Sequence, residues 1–278
     1  MSSLLAVAEN TLREAVRKRV LLAALVFGTA FLALFALGIS SVERDMLKHA
    51  PMSLMQRRLF LNFVVMAGLY AVNFLTVMTA AFMPVDTLSG EIASGVMQTV
   101  AAKPVRRSTI VLGKWLAYWL VVAGYLALLA GGALAIMRGL TGFTPPHIEL
   151  GLPLMLLEAT VILSLSIAGG TRLSTIANGV AVFGLYGLAF LGSWFEQIGT
   201  LMNNGSAATL GTITSLLMPS EALWQRAAWF MQPPIMRDLH LTPFSPASLP
   251  SEAMVWWALG YVLVTLAFAL VGFRKRAL

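Results

Sequence analysis

Six apolar stretches constrain this chain more than any other feature: residues 20–40, 59–84, 115–137, 150–170, 179–197 and 253–273. About 20 apolar residues in a helix span the roughly 30 Å hydrocarbon core of a bilayer. Inside that core every backbone N–H and C=O must be satisfied within the protein, which helices achieve segment by segment. The sequence therefore predicts an all-α membrane protein with six transmembrane helices in a single domain of 278 residues. Only 11% of residues are charged, against about 25% in soluble domains. There is no cysteine, which excludes disulfides and any cysteine-based metal site.

The remaining segments fit between these spans. Residues 3–19 read as an amphipathic helix lying at the membrane interface, with Leu5, Ala8, Leu12 and Val16 on its apolar face. The N-terminus does not have the form of a cleaved signal peptide, because its charged region is long and no small-residue cleavage site follows the first span. Residues 199–252 form the longest non-spanning region, an outer loop with short helices. Within it, 207–217 is apolar but too short to cross, and 220–231 reads as an interfacial helix carrying Trp224 and Trp229. The prolines from Pro233 to Pro250 give an extended return to the last span.

The formal charge of +7 belongs to membrane topology, not to nucleic acid, because the basic residues flank the apolar spans. A cytoplasmic N-terminus puts twelve Lys and Arg inside and seven outside. The excess sets both termini in the cytoplasm, in a multi-pass protein expected in a bacterial inner membrane.

Several chemistries are excluded. Gly113-Lys114 is followed by Trp115 and lacks the upstream glycine of a phosphate-binding loop. No His-Glu-x-x-His zinc signature or Gly-x-Ser-x-Gly elbow occurs. The chain is thus expected to hold no cofactor or metal and to perform no ATP hydrolysis itself. Glu158 is the one ionisable residue well inside a span. Such a residue marks either a cation or proton site or a hydrogen-bonded pin between helices. Asn73, Thr76 and Thr79 share a helical face and fit a translocation route or, more commonly, interhelical hydrogen bonds.

The polar break between the second and third spans, residues 86–114, carries the functional signal. Ile92, Val96 and Val100 recur every fourth residue, as in a short amphipathic helix. Pro104 ends it, and Arg106, Arg107 and Lys114 follow at headgroup level. Asp86, Gly90, Glu91, Gly95, Pro104, Arg107, Gly113 and Lys114, in that order and between two spans, resemble the cytosolic segment of ABC-2 type exporter permeases. The resemblance implies a coupling helix that docks on a separate pair of cytosolic ATPase subunits, which bind ATP and Mg. It also implies a second permease chain, identical or paralogous, and a cargo route between the two. Two other classes fit the composition. One is an ion-coupled secondary transporter using Glu158, although no internal repeat supports it. The other is a membrane anchor relaying ATPase movement to an outer partner through residues 199–252.

Overall fold

A computed structural model describes residues 3–48, 53–93, 106–202, 204–238 and 249–275. Among the described residues there is no strand. The helices are α1 (Ser3–Arg17), α2 (Arg19–Lys48), α3 (Leu54–Phe82), α4 (Ser89–Ala93), α5 (Arg107–Thr141), α6 (Ile148–Gly170), α7 (Thr175–Leu201), α8 (Gly205–Leu217), α9 (Ser220–Met231), α10 (Pro234–Asp238) and α11 (Glu252–Lys275). Six of them, α2, α3, α5, α6, α7 and α11, are long and apolar enough to cross a membrane.

The helices overrun the apolar stretches that identify them. α5 has 35 residues, about 52 Å at 1.5 Å per residue, well beyond the ~30 Å core. Its first two turns, from Arg107 to Lys114, belong to the span helix and not to a separate loop. α2 likewise continues past Ser40 to Lys48. Glu43 on this extension pairs with Arg57 at 2.6 Å, and the Arg57 guanidinium reaches the Thr141 carbonyl at 3.5 Å. Helical backbone tolerates charge as soon as it leaves the hydrocarbon, so polar residues do not stop it. Local signals set the actual ends. Ser53 and Gln56 form a reciprocal capping box at the start of α3. Gly142, at φ 69°, closes α5 in the left-handed conformation that glycine adopts without a Cβ penalty.

α6 is the central helix and packs against α3, α5, α7, α9 and α11. Its hydrophobic residues Met155, Ala159, Ile162, Leu163 and Ile167 are buried. α2, α7 and α11 are peripheral and leave broad apolar faces uncovered, among them Phe27, Leu34, Val180, Leu263 and Val264. That inversion of the usual pattern suits a lipid surround.

Two expectations change. α1 buries Ala8, Thr11 and Ala15 against α5, while Leu5 and Val16 stay exposed. The small residues face protein because they permit close helix approach, which leaves the larger apolar side chains free for a membrane surface. α9, read from its aromatic and charged residues as interfacial, is instead one of the most buried elements. Ser220 through Ala228 and Met231 are all buried, against α6 above all. Its polar groups enter the interior because they find partners: Gln225 donates to Ser193 Oγ at 2.7 Å, and Arg226 donates to the Pro250 carbonyl and lies 3.5 Å from Glu252. α8, at 13 residues, is about 20 Å long and folds back on α7. There a Cβ on Gly211 would stand 2.7 Å from the Gly192 carbonyl oxygen, so this contact needs glycine.

Candidate functional site

One end of the bundle gathers α1, the turn after α3, the start of α5 and the end of α11. The turn is built by Thr87 N–H donating to the Pro84 carbonyl at 3.0 Å and Gly90 N–H to the Asp86 carbonyl at 2.8 Å. Lys18, at the break between α1 and α2, reaches into it. Its ammonium lies 2.8 Å from Asp86 Oδ1 and donates to Thr87 Oγ1 at 3.2 Å. The same Thr87 hydroxyl meets the buried Tyr118 hydroxyl of α5. Burial alone lowers the pKa of Lys18, but Tyr118 and the Asp86 carboxylate outweigh it and hold the ammonium above its ordinary value. Lys18 therefore stays charged, and the pairing persists throughout the physiological range.

A second clamp follows one turn on. Glu91 in α4 accepts from the Lys114 ammonium on α5, with the lysine side chain 7% and the glutamate 17% exposed. Lys114 is thus not a free cation at headgroup level; it is buried and holds α4. Ser89 shares a hydrogen bond of 2.9 Å with Thr175 at the start of α7. Gly113 faces α1, where a Cβ would come within 2.9 Å of the Val7 Cβ and 3.2 Å of the Leu4 carbonyl. Gly90 has ordinary room, its nearest neighbour being 3.5 Å from such a Cβ. Arg107 donates to the carbonyls of Phe273 and Arg274 at 3.4 and 3.2 Å. A cation there complements the C-terminal dipole of α11. Ile92 belongs to α4, while Gly95, Val96, Val100 and Pro104 lie outside the described residues.

The second group of expected residues sits in the bundle interior. Asn73 Nδ2 on α3 donates to Glu158 Oε2 on α6 at 2.9 Å, and both residues are buried. Thr76 and Thr79 are buried on the same face, but each hydroxyl returns to its own helix, to the Val72 and Leu75 carbonyls at 2.8 Å. Asn73 and Glu158 are joined across helices by their bond, and the Thr79 side chain also interacts with Tyr125 of α5. Further cross-helix bonds run from Trp115 Nε1 to Ser164 Oγ at 2.9 Å and from Trp119 Nε1 to Thr160 Oγ1 at 3.0 Å.

Sequence reasoning passed over Lys18, Thr87, Tyr118 and Glu221. Lys18 looked like one of a run of basic residues, and Glu221 like the polar face of a surface helix. The chain distance from Lys18 to Asp86 leaves no local signal for their pairing. None of the curated proteins matches the chain. The family model for the ABC-2 family transporter protein matches residues 5–278, and together with the six spans this means that the chain belongs to the ABC-2 transporter family as an integral membrane transport subunit.

Proposed function

We propose that this chain is the permease half of an ATP-driven exporter and that residues 86–114 receive the ATPase. The observation that carries this is the double clamp. Asp86 is fastened to Lys18 between α1 and α2, and Glu91 to Lys114 on α5. A displacement applied between those anchors is passed to three helices at once, including two that enter the membrane. Two permease chains, identical or paralogous, pair with two cytosolic ATPase subunits, which supply the ATP and Mg chemistry. Closure of the ATPases shifts the coupling segment and reopens the bundle to the far side. By their four-residue spacing in the sequence, Ile92, Val96 and Val100 are the apolar strip proposed to meet the ATPase, and Arg106 and Arg107 hold the return to anionic lipid, at about 1 kcal/mol per basic residue near the surface.

Val96→Asp puts a charge into that strip without touching a span. Co-purification of the ATPase and stimulation of its turnover are expected to fall at least tenfold while the six spans still insert. Unchanged co-purification and turnover remove the docking assignment.

The same reading puts both termini and the clamped end in the cytoplasm of a bacterial inner membrane. The chain lacks cysteine, so single cysteines at Lys103, His147 and Asn204 are each unique targets. A membrane-impermeant thiol reagent added to intact cells is expected to label positions 147 and 204 and to spare 103. Labelling of 103 from outside inverts the topology.

A further inference from the structure

A cavity of about 120 Å³ lies between α3, α7 and the first turns of α9. Four of its seven lining residues are aromatic: Tyr70, Phe190, Trp194 and Trp224. Two ring pairs form corners in its wall. Tyr70 and Trp224 have centroids 5.3 Å apart at 57°, and Phe190 and Trp194 lie 6.2 Å apart at 64°. The acid of the wall is Glu221. Its residue exposure is 5%, and its Oε2 is fully buried with no hydrogen-bond partner among the described residues. A buried carboxyl oxygen without a donor is costly and rare in native proteins, and the residue that carries it lines the cavity.

From this geometry we infer that the cavity is a binding site for an organic ammonium group, with Glu221 as its counter-charge and the four rings as its walls. Aromatic faces attract cations within about 6 Å of the ring centre, and desolvated sites gain most. No lysine or arginine lines the cavity. Arg226, on the same helix as Glu221, is directed to Pro250 and Glu252. An anion therefore has no donor of opposite charge. A hard metal ion asks for six to eight oxygen ligands, which a wall that is mostly aromatic does not supply. The volume equals about four waters at ~30 Å³ each. That suits a methylated or primary ammonium head, with any larger body extending past the 43%-exposed Trp194 at the rim.

Burial pushes the Glu221 carboxyl up to about 8. Below that value it is neutral, so an arriving cation must release its proton, and binding tightens as pH rises. The titratable groups close enough to feel its charge are Glu158 on α6, Tyr70 on α3 and Tyr186 on α7. None of the three brings positive charge to the site, so none opposes a bound cation.

The site is independent of ATPase docking, so it is tested on the permease alone. The full chain is placed in phosphatidylglycerol nanodiscs and titrated with tetramethylammonium, reading tryptophan fluorescence. A saturable change is expected, with affinity rising from pH 6 to pH 9, and with no such response to tert-butanol, the uncharged analogue, or to potassium. Glu221→Gln is expected to weaken binding at least tenfold. Trp194→Leu, at the exposed rim where folding is not at stake, is expected to weaken it about three- to tenfold. Repeating the titration with phosphatidylethanolamine in the nanodiscs separates two sources of the same chemistry. A drop in apparent affinity identifies a lipid headgroup as occupant; no drop identifies a soluble amine. A response that does not saturate, that tert-butanol or potassium reproduces, or that survives both substitutions overturns the assignment.

Discussion

Reversing either charge of the Glu91–Lys114 pair is expected to unfasten the coupling segment, and reversing both is expected to restore it. The two side chains are largely shielded from solvent. Removing one partner of a shielded pair strands the other charge, and such losses run to about 3–5 kcal/mol. Glu91→Lys places two ammonium groups against each other, and Lys114→Glu does the same with carboxylates. Both single variants should melt several degrees lower in detergent and lose most ATPase stimulation. The double variant Glu91→Lys/Lys114→Glu rebuilds the pair with its ends exchanged and should recover most of both. The recovery decides between two roles for Glu91. As the holder of α4, it is replaceable by any residue that pairs with position 114. As a direct contact to a basic residue on the ATPase, it is not, and the double variant then stays stable but uncoupled. Stability recovered without stimulation moves Glu91 from the clamp to the docking face.

The six spans are legible in the sequence because a bilayer demands long uncharged helices and nothing else in the chain meets that demand. Their ends are not legible to the same degree. Polarity says where hydrocarbon stops, whereas caps and packing say where a helix stops, and in α2 and α5 these differ by two turns or more. α9 shows a deeper limit. Its Trp, Glu and Arg residues look like an interfacial face, and they are buried only because Ser193, Pro250 and Glu252 happen to stand opposite. Those partners come from α7, from the residues just before α11 and from its first residue, so no local pattern reveals them. The clamped end is intermediate. Asp86, Glu91, Gly113 and Lys114 stand out by order and spacing, and Gly113 does prove to lie where a side chain does not fit. What each residue touches depends on α1 folding back along α5, a tertiary event. The interior acid was legible as an anomaly, and its partner Asn73 as a candidate on the right face. The neighbouring Glu221 was hidden by the misreading of α9.

Glu158→Gln is expected to keep the protein assembled and transporting, whereas Glu158→Leu is expected to destabilise it. Glu158 is wholly buried, with Asn73 Nδ2 donating to its Oε2. Among the described residues neither Glu158 Oε1 nor Asn73 Oδ1 has a partner. A glutamine accepts the same bond through its carbonyl and offers its amide N–H to Asn73 Oδ1. The pair then becomes reciprocal, neither orphaned acceptor remains, and one buried acid is removed. Leucine offers neither group. It leaves the Asn73 amide buried without a partner, a loss of about 1–3 kcal/mol, which in a helical bundle should appear as a lower melting temperature and a poorer yield of assembled protein. Asn73→Leu should produce a similar loss from the other side, and combining it with Glu158→Leu should cost less than the sum, since replacing both partners leaves nothing unpaired. Melting curves in detergent and transport in vesicles with the ATPase check all four variants. If Glu158→Gln assembles normally and melts no lower yet transports nothing, the negative charge itself takes part in the transport cycle, and Glu158 passes from a pin between α3 and α6 to a working group of the route.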